Sequence, residues 1–186
     1  MAVKDSHKLF IDKTVFIDQL DLSDPVAVSD YERRFYQSFI QLEKQSLIRK
    51  LWDFDDGQQR LKAKIPYQEQ IVFNLHDGDG VFGSIGLNVG QKLFQFCDYG
   101  FQLPSSSTDV CRACEVLTMF SVKHRVNHAR WLGICKEIFR FGFTDIFATS
   151  AQRPLPLYQR LGFRVIDKAI IDGETRYCIR MSNGIA

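Results

Sequence analysis

The residues most able to do chemistry gather between positions 111 and 130. Arg125-Val-Asn127-His128-Ala129-Arg130 places two guanidinium groups, an imidazole and an amide where a helix is expected to begin. Unpaired backbone N–H groups and the helix dipole already favour an anion at such a position. Arg125, Asn127, His128 and Arg130 are therefore candidate anion contacts. Asn127 has the alternative role of N-cap, and Arg130 and Arg140 that of solvated surface charges. Two nearby groups could move protons. His124 ordinarily titrates near neutrality, although a turn would leave it solvated. Glu115, at the mouth of an apolar strand, could act as a base through a water molecule or be an exposed strand-end charge.

Cys111-x-x-Cys114 followed by His124 and His128 superficially resembles a zinc module. The intervening residues 115–123 contain the apolar strand, which at ~3.3 Å per residue holds the Cys pair about 25–30 Å from the His pair. Zinc ligands must meet within about 2.0–2.3 Å of one ion, so no metal is expected. Five Cys without a framework spacing suit reduced thiols. No His-plus-acid arrangement around Cys114 or Cys135 supports a cysteine nucleophile.

The elements that must position these groups follow from pattern. The chain has 186 residues, enough for one domain with a sizeable core. A net charge of +2 gives no electrostatic reason to expect nucleic acid or an anionic membrane as partner. No apolar run approaches the ~20 residues of a membrane span, and the polar N-terminus does not read as a signal peptide; a soluble, cytoplasmic protein is expected. The 16 Phe could line an acyl-chain pocket, but core filling is the ordinary role of this residue. Thr14-Val-Phe-Ile17 reads as a short strand. Ser23-Asp24-Pro25 signals a helix start, and Ser29-Asp-Tyr-Glu32 a second. Apolar residues then recur at helical spacing to about Phe54, with a break near 44–46.

Strands at 71–75 and 81–89 flank Asp77-Gly-Asp-Gly80, a hairpin signal rather than a calcium loop, whose other ligands are missing. Residues 91–114 read as a long loop, taken as a substrate-side flap. Strand 116–122, helix 129–141, strand 144–150, a short helix and a hairpin at 164–181 around Asp172-Gly173 complete the chain. The expected architecture is a mixed α/β (α+β) domain over 1–186, helix-rich through residue 60 and with its core sheet in 71–182.

Leu157-Tyr158-Gln-Arg-Leu161-Gly162-Phe163 resembles the Leu-Tyr-x-x-Leu-Gly-Phe signature of the GNAT acyltransferase superfamily. Val122-Lys-His-Arg125 resembles that family's Val-x-x-x-Arg, and Gly142-Phe-Thr-Asp-Ile its Gly-x-x-x-Ile/Leu. The resemblance implies a mostly antiparallel sheet with splayed central parallel strands and helices on both faces. It implies an acyl-CoA or acyl-carrier-protein phosphopantetheine thioester as co-substrate and an amine acceptor. It also implies that Tyr158 protonates the leaving thiolate, where packing of its helix on the sheet is the plain alternative. The Val122 amide would serve the oxyanion, and Phe120, Val122, Arg125, Asn127, His128, Ala129 and Arg130 would line the donor.

The family's turn is commonly Arg/Gln-x-x-Gly-x-Gly/Ala; here His128 and Arg130 stand at the small positions. Either cationic side chains replace backbone contacts, or the donor's nucleotide half is not held there. The long 91–114 segment ended by Glu115 is similar to that of acyl-homoserine-lactone synthases and N-acyl amino acid synthases, which can take acyl groups from acyl carrier protein. An inactive GNAT-fold binding or regulatory module is the competing expectation.

Overall fold

The computed structural model of the protein describes residues 8–40, 49–50, 52–90, 94–102, 112–122 and 126–183. Its described strands form an eight-stranded sheet of order β1-β2-β5-β6-β7-β8-β10-β9 and a separate pair β3-β4. The strands are β1 (Leu9–Phe10), β2 (Phe16–Gln19), β3 (Trp52–Asp55), β4 (Arg60–Ala63), β5 (Gln70–Asp77), β6 (Gly80–Asn88), β7 (Ala113–Ser121), β8 (Asp145–Ala151), β9 (Arg164–Ile171) and β10 (Glu174–Ser182). Three α-helices lie wholly within the described residues, α1 (Pro25–Phe39), α2 (His128–Arg140) and α3 (Leu155–Leu161). The sheet is mostly antiparallel. β7 and β8 are the parallel pair, in register over four residues from Ala113↔Asp145 to Val116↔Ala148. The mixed α/β expectation is met. No described helix is long and apolar enough to cross a membrane.

The chain divides into two compact units, residues 1–86 with 118–126, and residues 87–117 with 127–186. In the first, α1 begins where the sequence predicts: the Asp24 side chain accepts the Val26 N–H at 2.9 Å and Pro25 occupies the first turn. Val28, Tyr31, Glu32, Phe35 and Tyr36 form its buried face at helical spacing. Ser29-Asp-Tyr-Glu32 is thus mid-helix, not a second start. α1 ends at Phe39, the expected break at 44–46 lies outside the described residues, residues 49 and 50 are helical, and Trp52–Asp55 is a strand paired with Arg60–Ala63, so the helical run does not reach Phe54. Trp52 and Phe54 mimic helical spacing, but Trp-Asp-Phe-Asp alternates with the period of a strand. Its ring cluster joins elements distant in sequence. Phe35 stacks on Phe120 at 5.3 Å and meets Trp52 at 4.6 Å.

In the second unit, β8 and β10 pair over seven residues, and β10 carries β9. Asp172 and Gly173 both have positive φ, as a two-residue type I′ hairpin requires. The described part of the expected flap is core: Phe94 and Phe96 are buried and pack on Phe147 at 6.0 and 5.5 Å. Residues 95–99 form a 3-10 helix, and 91–93 and 103–111 lie outside the described residues. Nine of the 16 Phe are buried across the chain, the core-filling role.

Candidate functional site

Glu115 is the most unusual ionisable group. It is the third residue of β7, not a strand-end charge, and is 2% exposed. Oε2 accepts the Gln95 N–H at 2.6 Å and the Asn88 side-chain amide at 3.2 Å; Oε1 accepts the Phe96 N–H at 2.7 Å. The carboxylate thereby caps the 3-10 helix. No cation pairs with it among the described residues. Burial pushes its pKa up to about 7, outweighing the three hydrogen bonds that favour the charged form; the nearby Asp98 adds to the rise. Each carboxylate oxygen has two lone pairs, so Oε1 keeps one free for a proton.

The partners of Glu115 were invisible to motif reading. Asn88 lies 27 positions away and Gln95 20. The Gln95 side chain is buried, and neither its Nε2 nor its Oε1 finds a partner among the described residues. The available signal was a polar residue between two aromatics, Phe94-Gln95-Phe96.

Tyr158 lies on α3, half-buried. Its ring meets Phe163 edge-on at 5.4 Å, and its hydroxyl has no hydrogen-bond partner among the described residues. Desolvation, with a smaller contribution from Cys135, pushes its pKa up to about 12, so the phenol keeps its proton at neutral pH. The rest of the signature is local architecture. Gly162 takes φ 103° to end α3, and Leu161 and Phe163 are buried beside it.

The cationic turn resolves into separate tasks. Asn127 is the N-cap of α2, its side chain accepting the Arg130 N–H at 2.9 Å. His128 Nε2 donates to the Arg160 carbonyl at 2.8 Å, tying the start of α2 to α3 two residues beyond Tyr158. Ala129 is exposed and Arg130 half-buried in the first turn. His124 and Arg125, with Cys111 of the Cys pair, lie outside the described residues. Among those described, no three His, Cys, Asp or Glu side chains group as a metal site.

In the first unit, the Phe120 side chain is core, and the Val122 N–H, expected to face an oxyanion, donates to the Phe82 carbonyl at 2.8 Å. That proton, just past the end of β7, is taken by a backbone carbonyl of β6. A cavity of about 240 Å³ in this unit, lined by Glu32, Asp53, Phe54, Arg60 and Lys62 among others, contains none of the candidate catalytic or donor-binding residues.

Replacing Asn127 by alanine is expected to cost about 1 kcal/mol through loss of the cap, a fall in melting temperature of about 2–4 °C. An unchanged thermal melt would show that the Asn127–Arg130 bond does not hold the helix start.

The parallel β7-β8 pair lies in a mostly antiparallel sheet and is joined through α2, with α3 and the β9-β10 hairpin following β8. The fold is similar to those of acyl-homoserine-lactone synthases and of GNAT-family acetyltransferases. An acyl-homoserine-lactone synthase, LasI, is similar with a TM-score of 0.65 at 12% identity, over 96% of this chain and 91% of that one. The CoA-dependent acyl-homoserine lactone synthase BjaI follows at 0.61 and 14%, over 87% and 77%. A probable GNAT-family acetyltransferase from Chromobacterium violaceum gives 0.59 and 10%, over 97% and 88%. No protein-family model and no curated protein matches the sequence.

Proposed function

We propose that this protein is an N-acyltransferase moving an acyl group from a CoA or acyl-carrier-protein thioester to a small amine or amino-acid acceptor by direct attack. The observation that carries the reading is Glu115, a buried carboxyl held near neutrality in a fold shared with acyltransferases. A base with that pKa takes a proton at working pH and gives it up again. Its free Oε1 lone pair would receive the acceptor's proton through a water as the amine nitrogen bonds to the acyl carbon. Tyr158 would donate a hydrogen bond to the sulfur as the carbon–sulfur bond breaks. A phenol near 12 is a weaker acid than a thiol near 8.5, so stabilisation of the departing thiolate, with the proton following, is the role its chemistry suits. Asn127 to Arg130 at the start of α2 would face the donor's phosphate. Gln95 would offer a donor and an acceptor to the acyl acceptor.

The test is thiol release from acyl-CoA and acyl-carrier-protein of several chain lengths, with a panel of amines. Both donors are expected to raise the melting temperature by mass action, and at least one is expected to release thiol. Absence of both effects with every thioester would sink the reading. Tyr158→Phe keeps the Phe163 contact and is expected to slow thiol release by about a hundredfold, the usual scale for proton-donor assistance; an equally fast variant would remove Tyr158 from the mechanism.

A second reading, a binding module without turnover, draws on two backbone amides already engaged, Val122 with Phe82 and Arg130 with Asn127. It predicts thermal stabilisation by thioesters with no thiol released.

A further inference from the structure

α3 is a weak element on its own. It has seven residues, and its N-cap, Pro154, offers no side-chain bond to the first turn. So short a helix has little stability of its own and is placed by what it touches. Leu155 and Leu161 are its buried anchors. Apolar burial is non-directional, so it fixes how deep the helix sits more firmly than how it is turned or shifted. At the far end, the Gly162 and Phe163 N–H groups donate to the Gln159 and Tyr158 carbonyls at 3.0 Å each. The Arg160 carbonyl receives neither and is one of the acceptors that every helix end leaves open. His128 Nε2 donates to it at 2.8 Å, across 32 positions of sequence. Among the described residues this is the single hydrogen bond from another element to α3.

The cargo of α3 gives that bond its consequence. The Tyr158 hydroxyl has no hydrogen-bond partner among the described residues, and its ring meets only Phe163 edge-on. No polar contact aims the phenol, so its position follows from that of the helix. Arg160 lies two residues further along the same turn. The other end of the bond is the first residue of α2, whose start is held by the Asn127 cap. The imidazole thus ties the phenol's helix to a fixed point, and an Nε2–H given to a carbonyl is not available to a phosphate.

We propose that His128 is a positioning residue: through the Arg160 carbonyl it holds α3 where the Tyr158 phenol meets the departing sulfur. This role rests on the acyltransferase reading and on the part given there to Tyr158.

Steady-state thiol release by His128→Ala, His128→Gln, Tyr158→Phe and the double variant H128A/Y158F tests it. Glutamine carries an N–H donor near the place of the imidazole Nε2, and alanine carries none. His128→Ala is expected to lower kcat about three- to tenfold, the scale of one ordinary hydrogen bond, with KM for the acyl thioester unchanged. His128→Gln is expected to recover most of that loss. In the Tyr158→Phe background, His128→Ala is expected to cost nothing more, because the two residues act as one unit. A raised KM at unchanged kcat makes His128 a phosphate contact and overturns the proposal. So does a glutamine variant as slow as the alanine one, or a full further loss in the Tyr158→Phe background. Hydrogen exchange of the Gly162 and Phe163 amides reads the tie without turnover. They are expected to exchange faster in His128→Ala and at the wild-type rate in His128→Gln; equal rates in all three proteins overturn the proposal. Faster exchange in His128→Ala, with no thiol released by the wild type from any thioester, keeps the tie between α2 and α3 and fails the acyltransferase reading instead.

Discussion

Replacing Glu115 by alanine is expected to lower the melting temperature by about 10–15 °C. The carboxylate satisfies three buried donors, the backbone N–H groups of Gln95 and Phe96 and the Asn88 side-chain amide. An orphaned buried donor costs about 1–3 kcal/mol. Three of them, even partly rehydrated through the space the side chain leaves, amount to about 3–5 kcal/mol, a large part of a typical domain's stability. Each kcal/mol shifts the melting point of a chain this size by about 2–4 °C. Thermal unfolding at pH 6 measures it; a loss below about 3 °C would mean that the 3-10 helix holds itself without this cap.

The same residue predicts how stability varies with pH. Its folded pKa of about 7 stands above the ordinary 4.5, so between those values the native state holds a proton that the unfolded chain releases. Its contribution is fully present below about pH 4.5 and is lost as pH rises through 7. Burial is the main cause, and the whole step is about 3 kcal/mol. Urea midpoints of the wild type are expected to fall between pH 5 and pH 8. Those of Glu115→Gln, which has no proton to exchange, should fall less by that amount. Parallel curves for the two proteins would refute a raised pKa at this position.

Why Glu115 looked ordinary in the sequence, while the fold around it was readable, is a matter of range. The order from β7 to the β9-β10 hairpin could be read because each part is local. β-branched and apolar runs make the strands, Asn127 and Gly162 mark helix ends, and Asp172-Gly173 fits its turn. The start of α1 at Asp24-Pro25 was local in the same way. The failures come from contacts between distant residues. Trp52 and Phe54 continued the apolar spacing of α1, yet their place is fixed by cross-strand partners Ala63 and Leu61. Glu115 became buried because β7 starts at Ala113 rather than at Val116, and because Phe94 and Phe96 fold over as core. Between positions 91 and 114 the one signal of that closure is Phe94-Gln95-Phe96, a polar residue between two aromatics, which sets no register. The candidate site was thus legible in its Tyr158 signature and not in the environment that raises the pKa of Glu115.

Gly83→Ala is the second large effect, and its sign is the informative part. Alanine in place of glycine within a strand ordinarily stabilises slightly, because the unfolded chain loses freedom. At Gly83 the added methyl would lie 2.5 Å from the Phe120 carbonyl oxygen and 3.2 Å from the Ser121 Cα, both backbone atoms that cannot turn aside. Relief requires β6 and β7 to separate where the Val122 N–H reaches the Phe82 carbonyl at 2.8 Å and where Phe120 stacks on Phe35. Overpacking of this kind costs about 1–3 kcal/mol, and weakening the bond adds about 1 kcal/mol, a fall of about 5–15 °C in melting temperature. Gly78→Ala is the control. Its methyl would meet nothing within 4 Å, so the same substitution in the same hairpin is expected to be neutral. If the two variants melt together, β6 and β7 do not approach at Gly83 as closely as this packing requires. If only Gly83→Ala melts early, the glycine is there for space, because a methyl group cannot fit between those two strands.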